Sequence, residues 1–268
     1  MITLLGHYLR RSYAAGMLAT IALFAFQSVA ALSFNQFSAE GDPSIVAQLI
    51  PKWMQTALNI QAESFFTLRG LYGLLFQHPV FLLILFSVPV ALISAFLSGD
   101  VDKGVLALLL ARPLRRVSVP VAAALVALFW IVILMASTCL GIYMGVKWAG
   151  IAAEIPWKNV LFACANIAAL AWAVCGIAIF FCAQPMNRGD STSWILTLLV
   201  CLYVWNFLAP IWGGLAAEHN YSLFRYLNPP RIFTQNVMDI NNLLVPGAVG
   251  LAGLIVGCAV FTRRDFSI

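Results

Sequence analysis

Few side chains in this sequence could carry out chemistry, and they are spaced too widely to act together. The chain contains 268 residues, among them three histidines and six cysteines. His7, His78 and His219 are far apart and no two cysteines form a C-x-x-C pair, so neither type has the spacing of a metal site. The sequence also lacks the patterns of a P-loop, a zinc protease or a serine hydrolase. We therefore predict that the chain is not an enzyme and has no cofactor or metal of its own.

The densest group of polar side chains follows the second long apolar run. Ser98 or Asp100 could cap a helix there, and Asp102 would lie in its first turn, where the helix dipole favours a carboxylate. Pro113 would end this helix directly after Arg112. A short helix over residues 100–112 is predicted on a membrane surface, with its charges open to water or a partner. The positions that we single out are Asp100, Asp102, Lys103, Gly104, Leu108, Arg112, Pro113, Arg115 and Arg116.

The elements that must position these residues are membrane-spanning helices. Hydrophobic residues make up 62% of the chain and charged residues 9%, whereas about 25% of the residues in a soluble domain are charged. The apolar runs are long enough to cross hydrocarbon, which takes ~20 helical residues. We predict an all-α, polytopic membrane protein with a single transmembrane domain over residues 1–268. Its six predicted spans cover residues 13–34, 79–98, 119–146, 159–183, 193–213 and 243–262.

The charges in the connections between spans predict the orientation. One side carries nine basic and four acidic residues, and the other side carries six of each. Basic loops stay in the cytoplasm, so both termini and the loops 99–118 and 184–192 are predicted to be cytoplasmic. A cleaved signal peptide is the alternative at the N-terminus, but the apolar run there is longer than a signal core. Because the basic residues stand at helix ends and form no stripe with aromatics, we expect contact with membrane lipid and no nucleic-acid partner.

Two long connections, 35–78 and 214–242, fall on the predicted outer side. The first contains an amphipathic pattern from Pro51 onward, which indicates a short helix lying on the membrane or on the spans. In the second, the two prolines of the stretch 226–230 forbid a continuous helix and predict a turn between short helical pieces. Either connection could cover a pathway or be a passive lid.

The predicted spans contain no charged residue, and their polar groups are uncharged. Such groups usually hydrogen-bond between helices, although a pathway role stays open. The pathway candidates are Gln27, Asn166 and Asn206. Two small-residue motifs, Gly141-x-x-x-Gly145 and Gly253-x-x-x-Gly257, permit helices to approach closely.

The loop after the second span resembles a known family. The pattern Gly99-Asp100-x-x-x-Gly104-Val105-Leu106-x-Leu108-Leu109-x-x-x-Pro113-x-x-Arg116 is similar to the signature of ABC-2 type ATP-binding-cassette transporter permeases. The segment 261–265 is similar to the way those subunits end. Asp100 stands where glutamate is commoner and Val105 where threonine is commoner. The chain length and long first outer loop resemble the small NosY-like and NatB-like permeases.

This resemblance implies a multi-pass permease subunit in the plasma membrane of a bacterium or archaeon. It also implies an exporter, because the resembling family mostly exports. The subunit would pair with itself and with two copies of a separate ATPase subunit, which would carry the ATP and Mg. The segment 100–112 and the N-terminal residues His7, Arg10 and Arg11 would dock on that ATPase. Two alternatives are a membrane scaffold subunit that moves nothing and an intramembrane enzyme, for which we find no paired nucleophile and base.

Overall fold

The computed structural model describes residues 2–40, 67–105, 115–151, 155–209, 211 and 222–264. Within these ranges the chain is helical and contains no strand. Six of the helices are long and apolar enough to cross a membrane. The prediction of an all-α, multi-pass membrane protein with six spans is therefore confirmed.

Nine helical elements follow one another along the described part of the chain. The six long helices are α1 (Ile2–Glu40), α3 (Pro79–Asp102), α4 (Ser118–Trp148), α5 (Trp157–Ala183), α6 (Arg188–Leu208) and α8 (Asn241–Arg263). The short elements are α2 (Leu68–Leu75), a 3-10 turn (Leu223–Tyr226) and α7 (Pro229–Gln235). All three short elements lie in the two long connections that we predict to be external.

Two of the spans begin well before their predicted bounds. Helix α1 begins at Ile2 instead of residue 13, because neither its early charges nor Gly6 interrupts the helix. Helix α6 begins at Arg188 instead of residue 193, because the side chain of Asn187 caps it by accepting the N–H of Asp190. As a result, the helices include charged residues that the predicted spans left out.

Glycines allow two pairs of long helices to pack closely. A Cβ on Gly141 of α4 would lie 2.7 Å from the carbonyl oxygen of Phe24 in α1, and the Ser28 hydroxyl donates to the Gly141 carbonyl. A Cβ on Gly176 of α5 would lie 2.4 Å from the Gly250 carbonyl oxygen in α8. Both small-residue motifs therefore face helices of the same chain.

The six long helices are buried to different degrees. In the most apolar window of α3, α4 and α5, 61–67% of the residues are buried, whereas the figure is 28% for α1 and 17% for both α6 and α8. The middle three helices thus form the core of the bundle. The outer three leave most of their apolar surface for lipid or another subunit.

The short helices of the two long connections pack on each other at one end of the bundle. Phe233 of α7 stacks on Tyr72 of α2, and Gly73 of α2 lies directly under Pro230. The two prolines begin α7 after a short non-helical stretch that follows the 3-10 turn, which confirms the predicted turn between short helical pieces. The amphipathic helix predicted from Pro51 lies outside the described residues.

Candidate partner-docking site at the basic end

The end of α3 continues the second span and does not begin a separate helix. A π-helical turn over Ser94–Ser98 joins its two parts, with the Gly99 N–H bonded to the Ser94 carbonyl. The prediction that Ser98 caps a new helix is wrong, since its hydroxyl donates to the Cys182 carbonyl at 3.3 Å and contacts Ser191 Oγ at 3.3 Å. Asp100 follows two residues after this turn and is fully buried.

Asp100 and Arg11 form an ion pair between the first and second spans. Arg11 Nη1 lies 2.5 Å from Asp100 Oδ1; the Asp100 side chain is fully buried and that of Arg11 is 32% exposed. The Arg11 guanidinium also lies 5.4 Å from the centre of the Phe96 ring, on which Tyr8 stacks at 3.9 Å. The prediction that Asp100 faces water or a partner is therefore wrong.

Asp102 holds the beginning of the fifth span. Its Oδ2 accepts the backbone N–H of Arg188 at 2.7 Å, one residue after the Asn187 cap. A carboxylate is favourable at this position because the first N–H groups of a helix have no partner within the helix. The sequence analysis missed this contact, although the pattern Asn187-x-x-Asp190 is a helix-start signal that could have placed it.

Two arginines tie the end of the last span to the same region. Arg264 donates to the Gln184 carbonyl at 2.8 Å, and Arg116 donates to the Arg264 carbonyl at 3.2 Å. Partial burial lowers the pKa of Arg264, and the nearby carboxylate of Asp102 opposes this shift. We call this region, with Arg11, Asp100, Asp102, Arg188 and Arg264 at its centre, the basic end.

The other residues predicted to dock a partner divide into two groups. The first group is exposed at the basic end and consists of His7, Arg10, Lys103, Gly104, Arg115 and Arg116. Leu108, Arg112 and Pro113 lie outside the described residues. Gly104 has a φ of 69°, a left-handed conformation that favours glycine and ends α3. The basic end thus combines a buried ion pair with an exposed basic rim.

The pathway candidates have different environments. Asn166 donates to the carbonyls of Tyr226 and Asn242 at 2.8 and 2.9 Å and accepts the Asn228 N–H at 3.2 Å, so it fastens the outer connection to α5. The Gln27 side chain of α1 is fully buried against α4, and neither its amide nitrogen nor its amide oxygen hydrogen-bonds to a described residue. Asn206 is half-buried in α6, and its Oδ1 likewise has no partner in the described part of the chain.

An apolar groove of about 780 Å³ runs between α3 and α6. It extends from Arg188 at the basic end to Phe224 at the opposite end, which is nearly the whole length of the two spans. Its small polar side chains are those of Ser87, Ser94, Thr192 and Ser193. The apolar side chains along its walls include Leu82, Phe86, Val90, Leu196, Leu199 and Tyr203.

The six cysteines are free thiols. Cys139 of α4 and Cys164 of α5 place their sulfurs 3.3 Å apart, a neighbouring pair that the sequence did not reveal. Among the described residues no group of three His, Cys, Asp or Glu side chains is close enough to hold a metal ion.

Comparisons with protein-family models, curated proteins and solved structures found no match to this chain. We therefore infer a function from the geometry of the basic end and of the groove.

Proposed function

We propose that this chain is the transmembrane permease subunit of an ATP-driven ABC transporter. Two copies pair with each other and with two copies of a separate ATPase subunit, and the complex exports its substrate across the plasma membrane of a bacterium or archaeon. The ATP and Mg are bound by the partner. The chain contributes a docking surface, the helices that respond to docking, and a route for the cargo.

The observation that carries this proposal is the buried pair of Asp100 and Arg11. It joins the first and second spans at the point where α3 runs into the loop that resembles the permease signature. An ion pair with one fully buried partner resists separation, because the carboxylate would otherwise stand alone in an apolar interior. A push on that loop would therefore move both spans together.

The exposed groups around this pair supply the means of docking. Lys103, Arg115 and Arg116 are exposed at the basic end and flank residues 106–114 of the signature in the sequence. Positive side chains of this kind steer an acidic partner surface and fix its register. The orientation predicted from loop charges puts them in the cytoplasm, where a soluble ATPase would meet them.

The groove between α3 and α6 supplies a surface for cargo. Its walls are apolar over most of the membrane depth, and Arg188 stands at its basic end. Such a surface suits an apolar or amphipathic substrate, since polar cargo would find few hydrogen-bond partners there. Its volume of about 780 Å³ lies within the ~300–1,000 Å³ that small-molecule sites occupy.

Affinity purification of the tagged chain in mild detergent, followed by an ATPase assay, tests the proposal. We expect a soluble P-loop ATPase to co-purify with the wild-type chain. The double variant Lys103→Glu and Arg115→Glu should reduce recovery of this ATPase roughly tenfold or more through charge repulsion. Arg69→Glu is the matched control, because Arg69 is exposed in α2 at the opposite end of the bundle.

The outcome decides between two classes of protein. Recovery of the ATPase with wild type and Arg69→Glu, and its loss with the double variant, would support the permease and its docking surface together. Recovery of the chain alone, or with partners that lack a nucleotide site, would reject the transporter and favour a membrane scaffold subunit.

A further inference from the structure

A polar cavity of about 590 Å³ lies at the end of the bundle opposite the basic end. It is formed where the 3-10 turn, α7 and the beginning of α8 meet, and no step of the proposed transport uses it. The side chains with hydrogen-bonding groups in its wall include Arg225, Tyr226, Asn228, Arg231, Asp239 and Asn242.

The charged groups of this cavity are available to a ligand. Arg231 donates through Nε to Gln235 Oε1, so its two terminal nitrogens can still donate to a ligand. Neither Arg231 nor Arg225 has a carboxylate partner among the described residues. Asp239 accepts the Asn241 N–H through Oδ1, while its Oδ2 accepts from none of the described groups. Two guanidinium groups and one carboxylate oxygen thus line the same cavity.

The walls of the cavity are held in place by a buried amide. Asn166 bonds the backbone of Tyr226, Asn228 and Asn242, which are three of the lining residues. Because these bonds join the outer connection to α5 and α8, the cavity is built into the bundle and does not depend on the loop alone. A preformed site loses less entropy when it binds a ligand.

The cavity adjoins the beginning of α8, and lipid headgroups would lie at this end of a membrane-spanning helix. Helix α8, which is long and apolar enough to cross a membrane, begins at Asn241, two residues after Asp239. Val237, Ile240 and Leu244 next to the cavity expose 52%, 65% and 60% of their surface. Tyr226 adds an aromatic side chain of the type that membrane interfaces favour. Polar lining and exposed apolar residues are therefore adjacent, as an amphipathic ligand requires.

We propose that this cavity binds the headgroup of an aminophospholipid of the ethanolamine class. The phosphate bonds the guanidinium groups of Arg225 and Arg231, which suit phosphate oxygens in a forked geometry. The primary ammonium donates to Oδ2 of Asp239, and the acyl chains follow the exposed apolar residues into the bilayer. This inference goes beyond the proposed function and does not depend on it.

Native mass spectrometry of the full-length chain with defined phospholipids tests the site. We expect wild type to retain phosphatidylethanolamine roughly tenfold more than phosphatidylcholine, whose quaternary nitrogen cannot donate a hydrogen bond to Asp239. Asp239→Asn keeps an oxygen to cap α8 and should abolish this preference. The double variant Arg225→Gln and Arg231→Gln should lose both lipids roughly tenfold or more, whereas the control Arg69→Gln should lose neither.

A water-soluble competitor separates the two sources of this headgroup. Lipid that resists equimolar glycerophosphoethanolamine supports a lipid site, because the acyl chains add affinity. Displacement under those conditions would assign the cavity to a soluble ester and overturn the lipid proposal. Equal retention of the two lipids by wild type, or unchanged retention in the variants, would overturn the site itself.

Discussion

At the scale of single residues, Asp100 is the one charged side chain that is buried among the described residues. Its carboxylate is fully buried, its Oδ1 is paired with Arg11, and its Oδ2 has no partner among the described residues. Breaking a buried pair is more costly than removing it, because the remaining charge stays without compensation. Arg11 and Asp100 should therefore depend on each other strongly.

A double-mutant cycle measures this dependence. Arg11→Met should lower the free energy of unfolding by about 3 kcal/mol, the lower end of the range for buried pairs, because the Arg11 side chain is 32% exposed. The double variant Arg11→Met and Asp100→Asn should lose less than Arg11→Met alone, since no buried charge remains. Unfolding of the purified chain in detergent gives these values.

The neighbouring arginine is the control for that cycle. Arg10 is exposed in the same turn of α1, so Arg10→Met should change stability by no more than ~0.5 kcal/mol. Equal losses for Arg10→Met and Arg11→Met, or a double variant less stable than Arg11→Met, would show that the ion pair does not hold the two spans together.

At the scale of elements, the contact between α5 and α8 depends on glycine. Gly176→Ala would place a Cβ 2.4 Å from the Gly250 carbonyl oxygen, which is backbone and cannot rotate away. We expect a loss of ~1–3 kcal/mol, the usual cost of overpacking. Gly247→Ala in α8 meets no atom within 4 Å and should be neutral or gain up to ~1 kcal/mol from helix propensity. Melting temperatures of the two variants compare these effects, and a similar shift for both would argue against the close crossing.

The elements also show how much of the fold can be predicted from the sequence. Long apolar runs located all six spans, because hydrophobicity alone decides which segments enter a bilayer. The π-helical turn over Ser94–Ser98 has no such signal, because it lies inside an uninterrupted apolar run. Asp100 lies two residues beyond that turn and is buried against Arg11 of α1, a contact between distant parts of the chain. Charge patterning could therefore mark the candidate site but could not place this residue inside it.

At the scale of the whole molecule, three spans separate Arg115 from Val237, so the two residues must lie on opposite sides of the membrane. In a cysteine-free background, an impermeant maleimide should label Val237→Cys in intact cells and Arg115→Cys only after permeabilisation, because basic loops stay in the cytoplasm. Both native side chains are exposed, so access is not the limiting factor. Reversed labelling would invert the orientation, and labelling from one side would contradict the count of spans.

The close contact of α1 with α4 has a consequence for the order in which the protein is made. Ser28 must bond Gly141, which the ribosome adds 113 residues later. At ~5–20 residues per second, roughly 6 to 23 seconds pass before the part of α4 that contacts Ser28 has been made. During that interval the first helix lies in the bilayer before the partners of Ser28 and Arg11 have been made, and the insertion machinery or lipid must shield these two side chains until α3 and α4 arrive.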